Sequence, residues 1–437
     1  MPGNLKNKAT VAIIAGTYHP DRCGVAHYTL HLREALAQRE ITSLVLTTHA
    51  AAQTQDATVI GAVTRWRLAD LPSLVQTVHR TKADLLHIQH AAGTYGFDRT
   101  IFLLPLALRL SGWRSPIVTT IHEYGWWEWQ PKWLPAPWVE TLKTWGQQRS
   151  WWDREDGFLL TQSDAIITTN ADAQQVVTSR LPHLTHRVQQ IPIGANIAIA
   201  PIPQTQARQV LRQRCGWADD TVIFAFFGFL HPVKGLETLL SAFRQIAATH
   251  PQARLVLIGG VESLALPDQQ ASQYWQKLQT QIADLQLQSM VHMTGYLDPG
   301  AVSECLRGAD VGVLPFNHGV TLKSGSLLAL MAHELPVIAT RANPPDPLLE
   351  DRSLLWSIPS RDVGSLVTAM HHLMEDAERR QQLGQAGFRF SQPFTWSSIA
   401  DAHQAIYQSV ISDASRNAES KTLFGGGTRY SHIEDPF

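Results

Sequence analysis

The chain is poor in several features that would place it quickly, and each lack excludes something. Only 3 cysteines occur among 437 residues, at Cys23, Cys215 and Cys305. An odd, scattered set makes neither a disulfide framework nor a zinc pattern and points to a reducing compartment. Charge of neither sign dominates: 36 Lys and Arg stand against 37 Asp and Glu, a formal net charge of -1. That excludes a nucleic-acid binder driven by bulk electrostatics. No apolar run is long enough to cross a bilayer; Ile101 to Leu110 is short and is broken by Pro105 and Arg109. The early run from Val11 to Ala15 is too short for a signal-peptide core and leads into polar T-Y-H-P-D-R, so it reads as a buried first strand of a cytoplasmic protein. There is no G-x-G-x-x-G after a first strand and no Walker A sequence, which disfavours nicotinamide, flavin and P-loop chemistry. With no D-x-D at a strand end and no His/Asp/Glu cluster at ligand spacing, neither a metal nor another cofactor is expected.

What is present is an alternation of short β-rich runs with helical patterns. In the first half strands are expected at Thr10–Ala15, Ser43–Thr47, Asp84–Ile88, Ile117–Ile121, Ala165–Thr169 and Val188–Ile191. In the second they are expected at Val222–Phe227, Leu255–Ile258, Val291–Thr294, Val311–Leu314, Val337–Thr340 and Leu354–Ile358. Val25, Tyr28, Leu32 and Leu36 keep helical spacing, as do Leu236, Leu239, Leu240, Phe243 and Ile246. Alternating strands and helices imply parallel sheets with right-handed crossovers. Two such series predict two Rossmann-like α/β domains facing each other across a cleft. The proline-rich join near Ile199 to Gln206 divides an N-terminal domain, 1–199, from a C-terminal one, 200–396. A helix at about 397–412 is expected to pack back on the first domain, and a polar, glycine-bearing tail over 413–437 to be poorly ordered.

Open α/β sheets bind ligands at the carboxyl ends of their strands, often at the start of the next helix. Two loops of the second domain suit a phosphate. G-F-L-H-P-V-K-G, Gly228 to Gly235, follows its first strand; Gly228 permits a tight turn and Lys234 stands just before a helix. T-L-K-S-G-S-L-L, Thr321 to Leu328, follows the strand ending at Leu314; Ser324 or Ser326 can cap the helix, Gly325 bares the amides and Lys323 adds a cation. Each loop alone reads as well as a solvated lysine beside an ordinary cap. Both at strand ends of one domain favour a diphosphate cradle.

These motifs, with others in order, resemble glycosyltransferase family 4, whose members adopt the GT-B fold. The second half carries G-F-L-H-P-V-K-G, L-V-L-I-G-G, V-H-M-T-G-Y-L with Tyr296, G-A-D-V-G-V-L-P and A-L-M-A-H-E-L-P-V-I; the first carries C-G-V-A-H-Y-T, V-T-T-I-H-E-Y and I-P-I-G-A-N. The similarity spans about residues 10 to 400. It implies retaining, metal-independent transfer of a sugar from a nucleotide-sugar donor to a sugar, glycan or lipid-linked acceptor, with polysaccharide biosynthesis as the setting and no nucleic-acid partner. It implies catalytic roles for His122, Lys234 and Lys323. Donor contacts would fall to Gly24, Gly228, Tyr296, Thr321, Ser324, Gly325 and Ser326. His90 and Glu123 are weaker candidates, and His19, His231 and His318 weaker still. The sequence departs from the family where two glutamates normally frame the helix start: Thr321 and Ala329 stand there, and Phe229 replaces the usual arginine. Lys323 reads as a replacement cation for the diphosphate.

The segment from Trp126 to Trp152 is dense in tryptophan. Aromatic faces stack on sugars and favour membrane interfaces, so Trp126, Trp127 and Trp129 are acceptor-contact candidates and a peripheral contact with the inner membrane face is an expectation. Two other readings stay open: a non-catalytic GT-B-like binding protein, which the missing glutamates would suit, and a sugar-nucleotide epimerase of the same fold.

Overall fold

The computed structural model describes residues 9–18, 23–53, 56–124, 128, 130, 134–261 and 268–424. The chain runs β1 (Thr10–Ala15), α1 (Gly24–Ala37), β2 (Thr42–Thr48), β3 (Val59–Val63), α2 (Leu71–Thr81), β4 (Leu85–His90), α3 (Leu104–Leu110), β5 (Ile117–Ile121), α4 (Ala136–Gln148), β6 (Ala165–Thr168), α5 (Ala171–Arg180) and β7 (Val188–Gln190). It continues through α6 (Gln204–Cys215), β8 (Val222–Phe227), α7 (Leu236–Thr249), β9 (Ala253–Ile258), α8 (Asp268–Asp284), β10 (Val291–Met293), α9 (Pro299–Gly308), β11 (Val311–Leu314), α10 (Gly325–Ala332), β12 (Val337–Thr340), β13 (Trp356–Ile358), α11 (Val363–Glu375), α12 (Ala377–Ser391) and α13 (Trp396–Phe424).

Two parallel sheets result, as the alternating pattern requires. The first has seven strands in the order β3-β2-β1-β4-β5-β6-β7, and the second six in the order β10-β9-β8-β11-β12-β13. Strand order reverses between β1 and β4 in one and between β8 and β11 in the other. Such switch points leave a crevice outside the carboxyl ends of two neighbouring strands, where a ligand can enter. Phe224 and Ala225 of β8 pair with Val311 and Gly312 of β11, which sets the loops after these two strands side by side. The central strands β1, β5, β8, β11 and β12 are buried along almost their whole length, so they read as largely apolar runs.

The chain divides into two compact units whose boundaries differ from the linear division at residue 199. One holds, of the described residues, 9–16, 36–190 and 400–424; the other holds Ile191–Ile399 together with Thr17–Ala35. Most of α1 therefore belongs to the second unit, where Tyr28 meets the Trp396 ring edge-on at 5.1 Å. Within the first unit, Tyr407 of α13 reaches the β4 histidine His87 at 2.7 Å. Two elements differ from the sequence expectation. β3 is an unforeseen edge strand, and α13 runs to Phe424, so residues 413–424 are helical.

Candidate active site

Two of the donor-side loops, the one after β8 and the one that opens α10, meet at the β8–β11 switch point. Gly228 directly follows β8 with φ +140°, a conformation that side chains other than glycine rarely adopt. A Cβ there would stand 2.9 Å from Ser326 Oγ, so the turn after β8 lies against the first residues of α10. The loop then forms a short 3₁₀ turn over Pro232–Lys234, where His231 accepts from Val233 N at 3.3 Å; His231 thus serves as a cap. Gly235, φ +69°, follows. A Cβ on it would collide with Pro315 O at 2.0 Å, so only glycine lets this loop press on the end of β11. Asn317 locks the contact, its amides donating to Val233 O and Pro232 O at 2.9 Å each.

This packing fixes Lys234. Its Nζ stands 3.6 Å from the centroid of the Phe316 ring, a cation–π contact. Among the described residues no carboxylate forms an ion pair with it. Burial lowers its pKa to about 8. An ammonium held with an aromatic face and no counter-charge is poised to receive an anion.

The β11–α10 turn is organised by its own side chains. Thr321 O accepts from Ser324 N at 3.0 Å, and Thr321 Oγ1 from Lys323 N at 3.3 Å. Asp346 accepts from Leu322 N at 2.9 Å and holds the turn from outside. Ser324 is the N-cap of α10, its Oγ accepting from Leu327 N at 3.2 Å. That settles which serine caps, since Ser326 lies inside the first turn. Gly325 and Ser326 present the amides of the helix start, and Lys323 is exposed beside them. Thr321 therefore shapes the turn through its carbonyl and hydroxyl oxygens.

Ala329 lies fully buried in α10 with Leu327, Leu328, Leu330 and Met331. The carboxylate familiar from the resembling family would have no room there without opening the core. Glu334 takes up φ +61° where that family's pattern has glycine. Asp310, from the A-D pair preceding β11, is structural: it accepts from Arg212 at 3.0 Å and from Ile223 N at 2.9 Å, and also pairs with Arg208.

A residue of this unit that the sequence reading passed over is Asn196. Its side chain lies 3.3 Å from where a Cβ on Gly325 would stand, and its buried Oδ1 has no hydrogen-bond partner among the described residues. The motif I-P-I-G-A-N carried the signal. Tyr296 lies on the loop after β10, 45% exposed, next to the bridge between Gly259 and Gly295.

In the first unit His122 directly follows β5. With Gln89 oriented so that Oε1 accepts, His122 Nε2 donates to it at 2.8 Å, which leaves Nδ1 as the acceptor nitrogen. Burial, with His90 and His403 nearby, lowers its pKa to about 3. His122 is thus a neutral hydrogen-bonding group near pH 7. Gln89 is the second residue missed by sequence reasoning, being an interior strand position. Behind it His87 bonds Thr120 Oγ1 and Tyr407 Oη, both at 2.7 Å. His90 packs on Tyr95 with its centroid 6.2 Å away, and burial lowers its pKa to about 4. Gly24, belonging to the second unit, opens α1, with no atom within 4 Å of where its Cβ would be. Trp126, Trp127 and Trp129, like His19, lie outside the described residues.

The profile of "Glycosyltransferase Family 4" matches residues 23–198, and that of "Glycosyl transferases group 1" matches 207–390. The chain belongs to glycosyltransferase family 4. Among similar curated proteins is the D-inositol 3-phosphate glycosyltransferase of Kineococcus radiotolerans, 25% identical over 248 residues, covering 53% of this chain and 54% of that protein. Another is the GDP-mannose-dependent monoacylated alpha-(1-6)-phosphatidylinositol monomannoside mannosyltransferase of Corynebacterium glutamicum, 24% identical over 221 residues, covering 50% and 55%. The chain spans about half the length of the curated relatives it matches. Sucrose-phosphate synthase from Thermosynechococcus elongatus superposes with a TM-score of 0.66 at 18% identity, over 93% of this chain and 100% of that one. HepE of Anabaena in complex with UDP-glucose gives 0.61 at 16%, over 92% and 99%. These likenesses place both α/β units in the GT-B fold class.

Proposed function

We propose that the protein transfers a sugar from a nucleotide-sugar donor to a sugar, glycan or lipid-linked acceptor, with retention of configuration and no divalent metal in the chemical step. The observation that carries this reading is Lys234, an ammonium without a counter-charge among the described residues, on a loop packed against the start of α10 at the switch point of the second sheet.

As the glycosidic bond breaks, negative charge grows on the departing diphosphate. Fixed amides and ammonium groups that already face that position stabilise it without reorganising. Lys234, the amides at Gly325 and Ser326, and Lys323 supply such groups. The acceptor hydroxyl attacks from the face the leaving group vacates and gives its proton to the departing diphosphate, so no side-chain nucleophile is required. His122, neutral and oriented by Gln89, serves by accepting a hydrogen bond from a sugar hydroxyl rather than by supplying charge. Asn196 lies by Gly325 as a further donor contact. Trp126, Trp127 and Trp129 remain the proposed acceptor contacts.

A thermal-shift screen against UDP-, GDP-, ADP- and dTDP-sugars tests the donor, followed by transfer assays in excess EDTA. Stabilisation by one nucleotide class, with turnover that persists in chelator, is the expected result. No stabilisation by any of them refutes donor binding; a rate that collapses in EDTA and returns with Mg²⁺ or Mn²⁺ refutes the metal-free step. The threonine and alanine at 321 and 329 favour one alternative, a protein that binds the donor without turning it over. It would show the shift and no transfer or hydrolysis.

No helix among the described residues is long and apolar enough to cross a membrane. Peripheral contact is proposed through α4 and the turn after it, where Trp138 is 73% and Trp151 51% exposed. Co-sedimentation with anionic vesicles checks it; loss of binding in Trp138→Ala with Trp151→Ala is expected.

A further inference from the structure

The second unit carries a cluster that the donor site does not use. His250 caps the carboxyl end of α7. His371 and Glu375 lie one turn apart on α11, which puts both on one helix face. The fold packs α7 against α11 and brings the three together: one ligand-capable atom from each lies within 4.8 Å of the others. The His250 and His371 rings meet at 5.0 Å between centroids, and His371 Nδ1 is 3.6 Å from Glu375 Oε1. His250 Nε2 is buried and has no hydrogen-bond partner among the described residues. A polar ring nitrogen is seldom left so, since its desolvation goes uncompensated. His372, next along α11, stacks on Trp356 at 5.4 Å and backs the cluster from the side.

We propose that His250, His371 and Glu375 form a binding site for a borderline divalent transition-metal ion of the Zn²⁺ kind. Two imidazoles and one carboxylate are a ligand set that such an ion accepts. Bonds of about 2.0–2.2 Å to N and O bring ligand atoms to roughly 3.4 Å from one another, which small rotations of the exposed His371 and Glu375 side chains achieve. The buried Nε2 of His250 then gains the partner it lacks, and water completes the coordination. The ion would clamp the end of α7 to α11. It takes no part in sugar transfer: α7 begins beside Lys234, and its 14 residues span about 20 Å before His250. The site therefore stands independently of the metal-free chemistry proposed above.

The test uses the full chain, freed of any affinity tag and of metal, titrated with Zn²⁺ by calorimetry and then with Co²⁺ by visible absorption. Expected are one site per chain, a rise in melting temperature with Zn²⁺, and a Co²⁺ ligand-field band of the intensity of a four- or five-coordinate ion. His371→Ala and Glu375→Gln, both on an exposed face, should each weaken binding about tenfold or more, the scale on which even outer-shell partners act. A double change, His371→Ala with His250→Gln, should abolish the band. Sugar transfer or nucleotide binding should not change with chelator. An absence of Zn²⁺ binding, or binding equally tight in both exposed-face variants, overturns the proposal. Loss of transfer in chelator would instead count against the metal-free step and leave the calorimetric result as it stands.

Discussion

Lys234 makes a donor-binding signature measurable by pH alone. Its pKa in the free protein is about 8, lowered by burial. A group with that value is about 90% charged at pH 7 and about 10% charged at pH 9. A bound diphosphate favours the charged form, so it raises the pKa and binding takes up a proton wherever the free lysine is neutral. The affinity for a nucleoside diphosphate should accordingly be nearly flat below pH 8 and fall about tenfold for each unit above it. Between pH 7 and pH 9 the net loss is about ninefold to tenfold. Calorimetry at pH 9 in two buffers of different ionisation enthalpy should report about 0.9 proton taken up, against about 0.1 at pH 7. Lys234→Arg keeps a charge throughout this range and should flatten the profile, although a planar fork positions a phosphate differently. Lys234→Met should bind weakly with no inflection. A wild-type affinity that does not change from pH 7 to pH 9, together with Lys234→Met binding as tightly as wild type, would refute the assignment of Lys234 to the diphosphate.

Lys323→Ala should lower kcat by about 10²–10³, the usual cost of one preorganised contact to developing charge, while the melting temperature stays put because the side chain is exposed. Ala329→Glu should lower the melting temperature rather than tighten nucleotide binding, since it would force a carboxylate into the core around Leu327 and Met331; denaturant unfolding checks it. Asp310→Ala should destabilise by about 3–5 kcal/mol, stranding the buried Arg212 and freeing the start of β8. Acid should weaken the first unit through His90, which is buried neutral with a pKa of about 4 against an ordinary value of 6.5. Its depressed pKa means stability is complete above about 6.5 and declines as pH falls towards 4. At pH 5 the loss is about 2 kcal/mol, and His90→Gln should reduce that dependence in unfolding measured between pH 7 and 5.

The two sheets were legible because parallel strands covered on both faces must be continuous apolar runs, and Val222–Phe227 or Ile117–Ile121 can hardly be anything else. β3 escaped because Gly61 interrupts it and an edge strand needs fewer apolar residues. Its glycine is a packing requirement, since a Cβ would meet His49 Nδ1 at 2.4 Å, and nothing local announces that. The extension of α13 was hidden by polar residues, Ser, Asn, Glu and Lys, whose helix formation depends on the elements around them. The phosphate-facing loops could be read from glycine and serine chemistry at strand ends. What could not be read was environment: the Phe316 ring under Lys234, the core around Ala329, and the neutral state of His122. The first and the last come from residues distant in sequence. The His250, His371 and Glu375 grouping is hidden for the same reason, more than a hundred residues separating its halves.

The hydrogen bond between Tyr407 and His87 also bears on how the protein is made. Residues 36–190 leave the ribosome first, yet the unit they belong to takes in residues from Ala400 on. Between them come roughly 210 residues of the other unit, which at about 5–20 residues per second occupy about 10–40 s of synthesis. Throughout that interval the site on β4 that Tyr407 will cover stays without its partner. The unit begun first is thus finished last, and a nascent chain halted near residue 399 would hold its later unit complete and its earlier one still waiting.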